Sequence, residues 1–118
     1  MAHRLDKGRS TVDAVTIQKS LKIGVGGTDL KKLVVYSVTL SPAAVAANTT
    51  AEQTFTVTGV AVGEVVLEAV KPTVQAGLGI AGARVTATNT IGILFMNDTA
   101  GSITPTASEA YKFVVLST

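Results

Sequence analysis

Apolar and polar residues alternate along several short runs of this chain, which is the pattern of a strand with one buried face. In residues 33–40 the alternation places four apolar side chains on one face: Val34, Tyr36, Val38 and Leu40. Residues 52–59 alternate almost ideally, with Phe55 and Val57 on one face and three threonines on the other. Both runs are therefore predicted to be strands.

Further runs of the same kind are separated by glycine, proline, asparagine or serine, and they cover residues 64–70, 83–89, 90–97 and 110–117. The run that begins at Thr90 can pair with the run before it through a turn at Asn89–Thr90. Short strands that recur with turn residues between them predict an all-β fold. We expect a β-sandwich, jelly-roll or immunoglobulin-like, over residues 31–118.

One short helix is predicted at residues 41–48, because Ser41 can serve as its N-cap and Pro42 suits the first helical position. Residues 1–30 mix charged, glycine and small polar residues, so they are predicted to form an extended N-terminal arm. Within this arm, "GVGG" at residues 24–27 is interpreted as a flexible joint.

The basic residues are concentrated near the N-terminus. Residues 1–32 carry seven basic and three acidic side chains, a net charge of +4, whereas the remaining residues carry three basic and five acidic side chains, a net charge of −2. The basic character of the chain is therefore mainly a property of the predicted arm.

Two of the predicted strands are apolar on both faces. Leu94 and Met96 lie on the second face of residues 90–97, and Val114 and Leu116 lie on the second face of residues 110–117. The mean hydropathy of the chain is +0.43, and only 15% of its residues are charged. A small domain keeps much of its chain at the surface, so these four residues are predicted to lie at a subunit interface.

Gly77, Gly79 and Gly82 have the GxGxxG spacing of a dinucleotide-binding turn. That turn must open a helix, but the residues that follow Gly82 alternate with period 2 and are rich in threonine and valine. We therefore expect no cofactor, and we interpret the three glycines as a loop with close backbone packing.

Residue types that carry catalysis or bind metals are scarce. The chain has no cysteine, and its only histidine, His3, falls in the predicted arm, which argues against a Ser-His-Asp triad and against a zinc site. Five acidic residues of the predicted domain are interpreted as solvated charges: Glu52, Glu64, Glu68, Asp98 and Glu109. We expect no enzymatic activity, no catalytic residue and no bound metal.

Membranes and nucleic acids are not expected partners. No apolar run approaches the roughly 18 residues of a membrane-spanning helix, and the first residues lack the apolar run of a secretory signal. The protein is therefore expected to stay in the compartment where it is made. The basic arm has no interleaved aromatic residues on which the bases of a single strand could stack.

The segments "SVTLSPAAVAANTTAEQTFTVTGVAVGEVV" and "AGLGIAGARVTATNTIGILFMNDTAGSITPTASEAY" together resemble a module of small virion structural proteins of tailed bacteriophages. Capsid decoration (cement) proteins, head fibres and parts of tail fibres belong to this group. The resemblance covers about residues 36–115 and leaves out the predicted arm. Because the chain is little more than arm and module and has no coiled-coil heptads, a decoration protein suits it best.

The resemblance implies a protein made in the host cytoplasm that binds the major capsid protein on the outer surface of the virion and strengthens contacts between capsomers. It also implies self-association, with a homotrimer as the expected state. Five basic residues of the arm are predicted to contact the capsid: Arg4, Lys7, Arg9, Lys19 and Lys22. The alternative is a head-fibre or tail-fibre module that binds a glycan or protein of the host surface.

Overall fold

A computed structural model describes residues 13–118 of the chain and contains eight strands within that range. Their bounds are Leu21–Lys22 (β1), Asp29–Leu30 (β2), Lys32–Leu40 (β3), Thr49–Thr56 (β4), Val65–Val70 (β5), Leu78–Ala87 (β6), Thr90–Asn97 (β7) and Glu109–Ser117 (β8). No α-helix occurs in the described range, so the all-β prediction is confirmed for it.

The six longer strands form two antiparallel sheets with the orders β3-β8-β5 and β4-β7-β6, while β1 and β2 form a separate two-stranded hairpin. The inner faces of the two larger sheets enclose one core. The arrangement is consistent with a β-sandwich.

The core contains the apolar residues that the alternation assigned to inner faces. Tyr111, Phe113 and Val115 of β8 are fully or almost fully buried, and they pack with the inner residues of the central strand of the other sheet: Ile91, Ile93 and Phe95. The outer residues of β3 are exposed and its inner ones are buried or half-buried. The predicted strand faces are therefore confirmed for β3, β7 and β8.

The hairpin of β6 and β7 confirms the predicted pairing of residues 83–89 with residues 90–97. Its turn lies at Thr88 and Asn89, and Asn89 adopts a left-handed backbone conformation with φ of 58°. The Asn89 side chain also fixes a neighbouring turn, because its Oδ1 accepts a hydrogen bond of 2.8 Å from the backbone N–H of Gly59.

The helix predicted for residues 41–48 is wrong, since this segment is irregular in the structure. Val45 is fully buried and exchanges two backbone hydrogen bonds with Ile103, of 2.7 and 3.0 Å. The Gln53 side chain donates to the carbonyl of Ala43 and accepts from its N–H, both at 2.8 Å. These long-range bonds satisfy backbone groups that a short helix would have satisfied internally.

The interpretation of the three spaced glycines as a loop is wrong for two of them, because Gly79 and Gly82 lie inside strand β6. Gly77 occupies the turn before β6 with φ of +79°, and a Cβ there would lie 2.2 Å from the Thr99 side chain. A β-bulge follows between Ile80 and Gly82. The segment after Gly82 continues as a strand, whereas a dinucleotide-binding turn would lead into a helix.

Residues 24–27, predicted to be a joint, form the turn of the β1–β2 hairpin. Gly24 and Gly26 have positive φ angles of 80° and 81°, and the N–H of Gly27 donates to the carbonyl of Gly24 at 3.2 Å. The chain therefore reverses direction here before it enters β3.

Two valine-to-alanine substitutions test the position of the core. Val57 is fully buried and Val74 is 95% exposed. We expect Val57→Ala to lower the free energy of unfolding by about 2 kcal/mol, because it removes buried methyl groups and leaves a cavity. The matched control Val74→Ala should change it by less than about 0.5 kcal/mol. Urea denaturation measures both, and equal effects would contradict this description of the core.

Candidate interaction surfaces

The outer side of the β3-β8-β5 sheet carries a cluster of aliphatic side chains, which we call the apolar face: Leu33, Val35, Val65, Leu67, Val114 and Leu116. The strand register places Leu116 between Leu33 and Val65, and Val114 beside Val35. Leu33 is 65% exposed, and Val35 is 60% exposed. The cluster therefore spans all three strands of the sheet.

The apolar face exists because central strand β8 is apolar at successive positions rather than at alternate ones. Val114 points away from the core between the buried residues Phe113 and Val115. In β5, a bulge between Val66 and Glu68 makes Leu67 an extra residue of the strand, and Leu67 is left exposed.

Charged residues border one end of the apolar face. The Lys32 Nζ lies 3.5 Å from a carboxylate oxygen of Glu64. The pKa of Glu64 is lowered, first because the backbone N–H of Ala61 donates a hydrogen bond to its carboxylate and then because Lys32 is close. Glu68, beside Val114 in the register, is exposed and forms no ion pair with any residue of the described range.

The outer side of the β4-β7-β6 sheet is more polar. Arg84 donates two hydrogen bonds to Glu52, of 2.9 and 3.0 Å, and thereby lowers the pKa of this glutamate. The pair crosses strand β7 at Gly92, where a Cβ would lie only 2.7 Å from a carboxylate oxygen of Glu52. Leu94 and Met96 lie on this side, next to the charged pair.

The four residues predicted to lie at subunit contacts belong to two different sheets. Leu94 and Met96 belong to the outer side of one sheet, whereas Val114 and Leu116 belong to the outer side of the other. Four members of the apolar face were not predicted from the sequence, namely Leu33, Val35, Val65 and Leu67. Residues 33–35 did contain a signal for Leu33 and Val35, because three consecutive aliphatic residues make both faces of the strand apolar at that point.

The basic residues predicted to contact a capsid are only partly described. Arg4, Lys7 and Arg9 lie outside the described residues, whereas Lys19 and Lys22 are exposed. Lys22 lies 3.8 Å from Asp29 across the β1–β2 hairpin, an exposed pair that contributes little to stability. The same segment also exposes a set of aliphatic side chains: Val15, Ile17, Leu21, Ile23 and Val25.

The interpretation of Glu109 as a solvated charge is wrong, because Glu109 is buried and forms the most buried ion pair of the described residues, with Lys71 at 2.8 Å. Thr73 donates a second hydrogen bond to the Glu109 carboxylate, at 2.5 Å. These contacts, with Lys71 first, lower the pKa of Glu109. Burial and then the Glu109 charge raise the pKa of Tyr111 to about 12, and its hydroxyl forms no hydrogen bond within the described range.

This ion pair is suited to holding the segment after β5 against β8, and it offers little for catalysis. The ammonium and the hydroxyl that contact the carboxylate stabilise its charged form, which makes it a poor general base. Within residues 13–118, no group of three or more histidine, cysteine, aspartate or glutamate side chains could hold a metal ion.

All five aromatic side chains of the chain belong to the inward-facing set: Tyr36, Phe55, Phe95, Tyr111 and Phe113. The Tyr36 ring packs against Gly59, where a Cβ would lie 3.0 Å from the ring. An outward ring on which a sugar could stack is therefore absent from residues 13–118.

Comparison with known proteins gives no relative, since neither a family model, nor a curated protein, nor a solved structure matches this chain. Within the described residues, no helix is long and apolar enough to cross a membrane.

The ion pair of Lys71 with Glu109 predicts a pH-dependent loss of stability. A carboxylate whose pKa is lowered in the folded state contributes stability above its ordinary value of 4.5, and this contribution disappears as the pH falls through the folded value. Glu109→Gln should therefore be less stable than the unmodified protein at neutral pH, and the difference should shrink in acid. Urea denaturation at about pH 7 and about pH 3 measures this difference. A difference that stays constant with pH would show that the charge of Glu109 does not stabilise the fold.

Proposed function

We propose that this protein is a bacteriophage capsid decoration protein without enzymatic activity, which binds the assembled head and stabilises contacts between capsomers. Its sandwich would be of the jelly-roll or immunoglobulin-like type, with an extended N-terminal arm. The observation that carries the proposal is the apolar face, because a surface with six aliphatic side chains on one small sheet is suited to permanent coverage by protein. The phage-module resemblance of residues 36–115 supports the choice of a virion protein.

Coverage by a second copy and by the capsid would each contribute to assembly. We propose that the apolar face mediates self-association to a homotrimer, since burial of apolar surface contributes about 25 cal/mol per Å². Binding to the assembled lattice of the major capsid protein, and not to its free subunits, would favour the assembled state by mass action. This requires no chemical reaction.

The basic N-terminal residues are the proposed contact with the head. Arg4, Lys7, Arg9, Lys19 and Lys22 would speed the encounter with an acidic outer surface of the capsid. Salt should weaken this contribution, because exposed charges are screened over about 8 Å at physiological ionic strength.

A glycan-binding fibre module is the weaker alternative. Sugar sites commonly combine exposed aromatic rings with polar groups, and all five rings of this chain belong to the inward-facing set. One shallow depression of the surface is lined by small polar residues, among them Asn48, Thr50 and Asp98, together with Met96.

Localisation on purified phage particles tests the proposed function. Antibody against this protein, detected with gold by electron microscopy, should label the whole head of particles that contain it. Particles from which the gene has been deleted serve as the control and should show no label. Label confined to the tail would support the fibre alternative, and its absence from all particles would overturn a virion role.

Two leucine-to-glutamate substitutions distinguish the two outer sheet faces. We expect Leu116→Glu to dissociate the oligomer, because a carboxylate at the centre of the apolar face would be buried without a partner. Leu94→Glu, on the polar face, is the matched control and should leave the oligomer intact. Light scattering after size-exclusion chromatography measures the masses. If Leu94→Glu dissociated the oligomer and Leu116→Glu did not, the interface would lie on the outer side of the β4-β7-β6 sheet instead.

A further inference from the structure

We propose that residues 15–25, which we call the docking segment, lie across the apolar face of a second copy of this chain. The inference rests on the proposed self-association and adds which parts of two copies meet. It makes the contact heterologous, with segment on face, rather than one sheet face against another. A heterologous contact of this kind closes into a ring when the rotation between copies allows it.

The docking segment presents apolar side chains that its own fold leaves uncovered. Thr16 separates Val15 from Ile17, and Lys22 separates Leu21 from Ile23, so that each pair lies on one side of a locally extended stretch of chain. The residues of this set range from 43% to 109% exposed. The hairpin strand that contains Leu21 pairs only with β2, whose Leu30 faces it in the register.

The elongated shape of the molecule leaves the docking segment accessible to a second copy. The described residues extend 60 Å in one direction but only 29 and 25 Å in the others. A sandwich whose longest strand has 10 residues accounts for about 33 Å of that length, and the loops and the N-terminal residues make up the remainder. Every residue of the docking segment is exposed, so the segment does not pack against the sandwich to which it is attached.

The size of the apolar face also calls for an additional element. Three strands at about 4.8 Å spacing and about 20 Å of strand length give a flat area of roughly 300 Å². A stable protein interface buries about 800 Å² on each partner. The face alone is too small, and the docking segment, which bends at Gln18 and Lys19 and turns at Gly24, would add the area of its own exposed aliphatic side chains.

Charge complementarity supports the same pairing. Lys19 lies in the middle of the docking segment and forms no ion pair within the described range. Glu68 lies beside Val114 on the apolar face and is likewise unpaired within that range. An ion pair between Lys19 of one copy and Glu68 of the next would fix the position of the segment on the face.

Cross-linking of single-cysteine variants tests the pairing, since the chain contains no cysteine of its own. Ile17→Cys and a size-tagged Leu67→Cys variant are mixed, allowed to exchange subunits and treated with a short bismaleimide. We expect a covalent product of one tagged and one untagged chain, which can only come from two copies. Thr54→Cys, exposed on the outer side of β4, replaces Leu67→Cys in the control and should give little product.

The outcomes separate this inference from the proposed function. If the variants form oligomers but Ile17→Cys links no better to Leu67→Cys than to Thr54→Cys, the docking segment does not cover the face, and self-association stands. If a chain that carries both Ile17→Cys and Leu67→Cys links internally at high dilution, the segment covers its own face and the inference is overturned. Variants that remain monomeric overturn both.

Charge reversal gives an independent measurement. Lys19→Glu and Glu68→Lys should each weaken the oligomer several-fold, and the double variant should recover most of the affinity, because the ion pair is restored with reversed signs. Sedimentation equilibrium measures the dissociation constants. Additive effects in the double variant would show that Lys19 and Glu68 do not meet.

Discussion

Central strand β8 is apolar on both of its faces, and the core and the apolar face both depend on this property. Phe113 and Val115 fill the core, so Val114 and Leu116 must point outward. Neighbouring strands add Leu33 and Val65 at the same level of the sheet. The sandwich has no further layer to cover this side within the described residues. The strand that contributes the largest side chains to the core therefore also exposes aliphatic side chains on its opposite face.

The two outer sheet faces of the molecule differ in polarity. One carries the Glu52–Arg84 pair across Gly92, which keeps charge and hydrogen-bonding groups at the surface. The other carries the apolar face. A protein with one polar outer face and one apolar outer face is suited to the surface of a larger assembly, because the apolar face can be buried while the polar face stays in contact with solvent. This difference supports the proposed decoration role.

Strand positions could be predicted because alternation with period 2 is a local property, as in Tyr111, Phe113 and Val115. The helix predicted at residues 41–48 was wrong because the backbone of Val45 pairs with Ile103, a partner that local propensity does not reveal. The separation of Leu94 and Met96 from Val114 and Leu116 could not be predicted for a similar reason. Which outer faces adjoin depends on the strand order β3-β8-β5 and β4-β7-β6, and the sequence pattern does not contain that order.

The central claim is that the apolar face is covered in the assembled protein. Hydroxyl-radical footprinting with mass spectrometry measures the solvent access of individual side chains at low and high protein concentration. If the apolar face is covered in the assembled protein, labelling of Leu33, Val35 and Leu67 falls as the protein is concentrated, while labelling of Val74, which is 95% exposed and lies in a loop, stays the same. Equal labelling of the three residues at every concentration, and on decorated heads, would contradict the claim.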